Sequence, residues 1–155
     1  MKVLMVCLGN ICRSPLAEGI LKAKIKEKGL NWMVDSAGTG SWHVGDLPDP
    51  RSVVTARKNN INITDQRARQ FHASDLDEFD LILTMDKTNY RDVLRFATTE
   101  KQRSKVQLIM NFIYPGKNMD VPDPYWDDEG FDKVYQMLVE ACESVVEHYS
   151  AVAAG

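Results

Sequence analysis

Cys7 and Arg13 stand with five residues between them, Leu8, Gly9, Asn10, Ile11 and Cys12, and Arg13 is followed by Ser14 and Pro15. Five spacers let a chain curl round one tetrahedral anion, so that successive backbone N–H groups point inward as a nest. Gly9 and Asn10 are residue types that tolerate the left-handed backbone such a curl needs. Pro15 suits the first turn of a helix with Ser14 as its N-cap, which would aim the helix dipole at the same anion. Arg13 closes the ring with a planar fork able to hold two phosphate oxygens. A thiol at the floor of this positive field favours its thiolate, the form that attacks. The chemistry expected of the set is phosphoryl transfer to sulfur. The plain alternative makes Cys7 a buried cysteine at a strand end. Against it stand the apolar run Val3-Leu4-Met5-Val6 before the motif and the proline-started helix after it.

Such a transfer needs an acid for the departing oxygen. Asp123-Pro124-Tyr125-Trp126 offers a carboxyl on a proline-stiffened loop with aromatic flanks. Alone, Asp-Pro reads as a turn; together with the Cys7 loop it reads as general acid and, after the leaving group departs, general base. The negative phosphate beside it would favour its protonated form. Trp42 and Tyr125 are candidates for the walls of a slot for a flat ring, or else core aromatics. His43, His72 and His148 read as surface residues. No C-x-x-C and no histidine pair at ligand spacing occurs, and the mechanism needs neither metal nor cofactor. A Walker loop is absent, since no lysine follows the second glycine of such a pattern.

These residues must be positioned by strands and helices that alternate, which predicts an α/β fold: an open parallel four-stranded sheet flanked by helices on both faces, in a single domain over residues 1–155. Expected strands are Lys2–Val6, Asn31–Asp35, Asp80–Thr84 and Val106–Met110. Helices are expected from Pro15 to Lys28 with Gly29 as C′ residue, from Pro50 to Asn59, after Asp86, and from Gly130 to Ser150, with 151–155 frayed. Lys24 interrupts the apolar side of the first helix, formed by Leu16, Ala17, Ile20 and Leu21. In the last, Phe131, Val134, Tyr135, Leu138, Cys142, Val145 and Tyr149 recur on one face, so Cys142 belongs to the core. Gly38 to Asp49 and Tyr114 to Glu129 are long irregular stretches. In an open parallel sheet, ligands sit beyond the strand carboxyl ends, where both stretches could lie. Asp127-Asp128-Glu129 suggests either tolerance for basic residues around a substrate or a dipole-favoured helix start.

Over 155 residues, 44% are hydrophobic and 26% charged, the balance of a globular domain with a real core. A net charge of −3 gives no reason to expect a nucleic-acid partner. No stretch reaches membrane-spanning length and Val3–Val6 is too short for a signal peptide, so no membrane partner and a cytoplasmic location are expected. Three cysteines at irregular spacing make no disulfide framework and fit a reducing compartment.

The chain resembles the low-molecular-weight protein tyrosine phosphatases over nearly its whole length. The resemblance is carried by residues 7–15 together with Asp35-Ser36-Ala37-Gly38-Thr39, Ala68-Arg69-Gln70, Thr84-Met85-Asp86 and Asp123-Pro124-Tyr125. It implies hydrolysis of phosphotyrosine through a cysteinyl-phosphate, with Cys7 as nucleophile, Arg13 as phosphate clamp and Asp123 as acid/base. Tyrosine-phosphorylated proteins would be the substrates, inorganic phosphate the product and a monomer the working state. Ser14 would favour the Cys7 thiolate, and Asn10 with Ser36 would hold the loop, unless Ser36 is an ordinary strand-end residue. Where the family commonly has a supporting histidine, this chain has Gln66, which donates and accepts but carries no charge. The resemblance also implies that Cys12 traps an oxidised Cys7 as a disulfide, making the enzyme redox-sensitive; the alternative is a small buried filler. Related arginine phosphatases have threonine where this chain has Ile11, whose methyls would favour an aryl phosphate over a phosphoguanidinium. Two rivals use the same loop: a thiol-relay arsenate reductase, for which only Cys142 remains as relay, and a phosphopeptide-binding module.

Overall fold

Four extended segments pair into one all-parallel sheet in the computed structural model, which describes residues 1–154 and their side chains through residue 150. β1 (Lys2–Cys7) lies between β2 (Met33–Gly38) and β3 (Leu81–Thr84), and β4 (Val106–Leu108) forms the far edge, in the order β2-β1-β3-β4. Parallel pairing requires a crossover after each strand. α1 (Arg13–Glu27) returns the chain to β2, α2 (Pro50–Lys58) and α3 (Asp75–Glu78) lead to β3, and α4 (Lys87–Leu94) and α5 (Glu100–Ser104) lead to β4. The chain ends in α6 (Gly130–Ala154).

Alternation along β1 and β3 divides the core. Val3, Met5, Cys7, Leu81 and Leu83 face the layer of α1, α2 and α6. Leu4, Val6 and Ile82 face the other way, against Leu76 of α3 and Val93 of α4. Helices therefore cover both faces, as the alternating pattern predicts, and β1 is buried from Val3 to Cys7 because it is covered on both. α1 is buried around most of its first half, from Arg13 to Leu21, because β1, α6 and α2 enclose it. The break in its apolar stripe has a partner: Lys24 Nζ donates to Glu143 Oε2 of α6 at 2.7 Å.

Several boundaries differ from those expected. β2 begins at Met33 rather than Asn31, because the N–H of Leu30 is taken by Ile25 O in the end of α1, and the first rung is Met33 N to Met1 O. It runs on to Gly38, so Ser36 lies within the strand. β4 stops at Leu108, and Ile109–Phe112 tighten into a 3-10 turn. α1 starts at Arg13 with Cys12 in the cap position and no side-chain cap, so Ser14 is not the N-cap. Its hydroxyl is engaged with Cys7 instead. In place of the fray expected after Ser150, the backbone is helical to Ala154; Gly155 lies outside the described residues. Buried Cys142 sits in the core of α6, as its place on the apolar stripe predicts.

Gly29 ends α1 at φ 65° with open space around the position of a Cβ. Gly29→Ala should lose about 1–2 kcal/mol through the left-handed backbone alone, and Gly29→Asn much less. A lower urea midpoint with an unchanged slope is the expected reading.

Candidate active site

The segment from Leu8 to Cys12 leaves the carboxyl end of β1, where β2 turns to one side and β3 to the other, so the crevice of this sheet opens above Cys7. Of the two residues expected to take the left-handed bend, only Asn10 does so, at φ 58°. Gly9 meets a different need: a Cβ there would stand 3.2 Å from the His43 ring. The bend turns the Asn10 N–H onto Cys7 Sγ at 3.3 Å. Gly38 allows the loop to rest on β2, since a Cβ there would lie 2.7 Å from Leu8 O. Thr39 N and Gly40 N donate to Cys7 O and Leu8 O, each at 2.9 Å, and Asp49 N donates to Ile11 O at 2.8 Å.

The Asn10 side chain fixes this shape. Its Nδ2 donates to Ser14 Oγ at 2.8 Å and to Ser36 Oγ at 2.9 Å, and its Oδ1 accepts Arg69 N at 3.0 Å. With Ser14 Oγ accepting from Asn10, its own proton is free to point at Cys7 Sγ, 3.0 Å away. Ser36 Oγ passes its proton on to Glu18 Oε1 at 2.7 Å, and Lys22 Nζ donates to Glu18 Oε2 at 2.6 Å. Ser36 is thus a bridge in the network rather than a turn residue. Burial raises the Glu18 pKa, and the hydrogen bonds and charge of Lys22 and Ser36 offset this only in part. Gln66 does not join the chain; its Nε2 donates to Pro15 O at 3.1 Å.

Arg13 is almost wholly buried. Its Nη1 donates to Asp86 Oδ2 at 2.7 Å and to Val121 O at 2.9 Å, and its Nη2 lies 3.7 Å from Asp123 Oδ2. Burial opposes its charge, but Cys7, Asp86 and Asp123 outweigh that and raise its pKa. Asp123 caps the 3-10 turn Pro124–Trp126 by accepting Tyr125 N, which leaves its other oxygen toward Arg13. Cys12 is buried and its thiol is pushed up to about 12 by burial, then by Asp49, Cys7 and Asp123. It therefore stays neutral beside Cys7.

A cavity of about 250 Å³ joins the loop residues Cys7, Leu8, Gly9, Ile11, Cys12 and Arg13 with Asp123 and with the rings of Trp42, His43, Tyr125 and Trp126. Trp42 is 72% exposed and lies against Gly40, where a Cβ would sit 2.0 Å from the indole. It is a wall of the slot rather than a core residue, and so is Tyr125. His72 and His148 are on the surface as expected, but His43 is half-buried in the slot wall and pairs with Asp46 at 3.2 Å. The sequence reading also missed Trp126, Asp86 and Glu18. Trp126 adjoins an expected wall residue, Asp86 lies in one of the family motifs, and Glu18 gave no signal. The acidic run is a helix start: Asp127 accepts Glu129 N, and Asp128 pairs with Arg51. Asp120 is held by Lys87 and does not line the cavity. Among the described residues no acidic, histidine or cysteine cluster could hold a metal ion, and no helix is long and apolar enough to cross a membrane.

A thiol at the floor of an anion-sized loop, on a four-stranded parallel sheet, places the chain among hydrolases of α/β architecture. It belongs to the low molecular weight phosphotyrosine protein phosphatase family, whose sequence pattern matches residues 2–153. The low molecular weight phosphotyrosine protein phosphatase of Sus scrofa is 41% identical over 149 residues, 94% of this chain and 93% of that protein. The crystal structure of a protein tyrosine phosphatase from Entamoeba histolytica superposes with a TM-score of 0.91 at 35% identity, covering 99% of both chains. A Drosophila arginine phosphatase superposes with a TM-score of 0.89 at 36% identity, covering 96% of this chain and 98% of that one.

The raised pKa of Glu18 has a sign that can be measured. A carboxyl whose folded pKa lies above its unfolded value favours folding below the unfolded value, and that contribution is lost as pH rises through the folded one. Glu18→Gln keeps an acceptor for Ser36 and removes the charge. Compared with the parent, it should show no such loss above about pH 4.3, the unfolded value. Urea midpoints taken from pH 4 to 8 should therefore diverge in favour of the variant as pH increases.

Proposed function

We propose that the chain hydrolyses phosphotyrosine in proteins through a phosphocysteine, with Cys7 as nucleophile, Arg13 as clamp and Asp123 as acid and then base. The observation that carries this reading is the position of Cys7 Sγ, which receives the Asn10 N–H and faces the Ser14 hydroxyl at the floor of an aromatic-walled slot. With Nη1 of Arg13 tied to Asp86 and Val121, Nε and Nη2 form the fork left for the phosphate. The Asn10 N–H, already turned onto Cys7 Sγ, adds a backbone donor beside the sulfur, and donors so placed hold charge on the equatorial oxygens as it develops.

In the first step the thiolate pair of Cys7 forms the S–P bond as the P–O bond to the phenol breaks, and Asp123 delivers its proton to the departing oxygen. In the second step Asp123, now a carboxylate, takes a proton from water. That water attacks phosphorus, the S–P bond breaks, and the pair returns to sulfur, where Ser14 stabilises the thiolate. Inorganic phosphate leaves, and no metal, cofactor or thiol relay takes part. This separates the reading from an arsenate reductase, for Cys142 is buried in α6, with its thiol pushed up to about 12 by burial. Ile11, nearly buried on the cavity floor, offers methyls to an aryl ester and no polar partner to a guanidinium. We read the chain as a single-domain, monomeric enzyme of the cytoplasm, consistent with three free thiols.

The parent protein should release phosphate from a phosphotyrosyl peptide without added metal, and Cys7→Ser should bind the same peptide with no turnover. Residual turnover in that variant would remove Cys7 as the nucleophile, and faster release from a phosphoarginyl peptide would reassign the substrate.

Asp123→Asn should slow phosphoenzyme formation from phosphotyrosine by about 10²–10⁴. The loss should shrink as the leaving phenol becomes more acidic, because a stable phenolate departs unaided. A uniform loss across leaving groups would reduce Asp123 to a loop-shaping role.

A further inference from the structure

Arg51 stands at the start of α2, outside the cavity lining, and yet it ties the two halves of the site together. On one side, Asp49 takes three of its donors: backbone N at 2.8 Å and Nε at 3.0 Å onto Oδ1, and Nη2 at 2.9 Å onto Oδ2. Asp49 is itself fastened to the phosphate loop through its N–H to Ile11 O. On the other side, Nη1 forms an ion pair with Asp128, and the guanidinium lies 5.4 Å from the Tyr125 ring centre and 4.7 Å from that of Phe131. Tyr125 is two residues from Asp123, and its N–H is what orients the Asp123 carboxyl.

The acid loop has few other holds. Val121 N donates to Met85 O, and its carbonyl accepts from Arg13. From Pro122 to Glu129, among the described residues, the polar contacts to other segments are Arg13 with Asp123 and Arg51 with Tyr125 and Asp128. Trp126 is 87% exposed and packs edge-on against Tyr125 of its own loop, with ring centres 4.8 Å apart. A planar cation bonded to Asp49 on one edge and stacked on aromatic rings fixes both distance and orientation, which a lysine ammonium cannot do.

We propose that Arg51 is a positioning residue for the acid: a strap from the phosphate loop, through Asp49, to Tyr125 that sets where Asp123 stands above Cys7. The strap rests on the reading of Asp123 as general acid. Displacing a reacting group by about an ångström costs on the order of 10²-fold, so the strap acts on rate while it leaves the phosphate cradle alone.

The test is single-turnover phosphoenzyme formation by Arg51→Gln and Arg51→Lys with two substrates, phosphotyrosine and 2,4-dinitrophenyl phosphate. The ratio of the two rates does not depend on the fraction of protein folded. Arg51→Gln should lose about 10–100-fold with phosphotyrosine but less than about 3-fold with the dinitrophenyl ester, which needs little acid help. Inhibition by inorganic phosphate should stay within about twofold, and Arg51→Lys should recover only part of the loss. The double variant with Asp123→Asn should be no slower than Asp123→Asn alone, because a strap has nothing left to position. Equal losses on both substrates, or additive losses in the double variant, would overturn the strap while leaving the acid in place. If Asp123→Asn itself shows no leaving-group dependence, the acid reading fails first and the strap falls with it.

Discussion

One side-chain amide holds the site in shape. Asn10 sits in a left-handed conformation that costs an ordinary residue about 1–2 kcal/mol, and three hydrogen bonds from its side chain to α1, β2 and the segment before α3 hold it there. Those bonds make the bend an extension of the sheet and helix rather than a free loop. Because Asn10 is donor to both serines, each serine must spend its own proton elsewhere, Ser36 on Glu18 and Ser14 on the sulfur. The Arg69 N–H at one end and the Lys22 ammonium at the other can only donate, and Asn10 between them orients both serines.

The second constraint is the burial of Arg13. A guanidinium taken from water needs partners for its donors, and it finds them on two other segments: Asp86 after β3, and Val121 and Asp123 in the stretch before the second 3-10 turn. The cation therefore draws the end of β3 and the Asp123 stretch together beside the Cys7 loop. Its partners also dictate which face it shows to a ligand. Sheet order supports the same end, since β1, an inner strand, carries Cys7 at its carboxyl terminus with neighbours on either side.

Local chemistry was legible in the sequence where it is carried by neighbours along the chain. The spacing from Cys7 to Arg13, the Asp123-Pro124 turn, the alternating strands of a two-faced sheet and the apolar stripe of α6 each announce themselves within ten or so residues. Contacts between distant segments did not. Arg13 meets Asp86 across 73 positions, and Ser36 meets Glu18 across 18, with no periodicity to mark either. Of the two roles that sequence suggests for Ser14, helix cap and partner of the Cys7 sulfur, only the second is present, because the hydroxyl is committed to Asn10 and the sulfur. Of Gly9 and Asn10, both suited by type to the bend, Asn10 supplies it because its side chain has partners that glycine lacks. His43 is ambiguous in sequence, as an isolated histidine in an irregular stretch, and only the fold brings it against Gly9.

Of the three cysteine thiols in this molecule, two are pushed up to about 12 by burial, one inside α6 and one within the phosphate loop itself. Burial inside α6 works as a form of chemical silence, since Cys142 has no exposed surface. An alkylating agent that enters the cavity from solvent meets Cys7 and Cys12, the two thiols in its lining. Packing therefore confines the reactive sulfur of the folded protein to one end of the sheet.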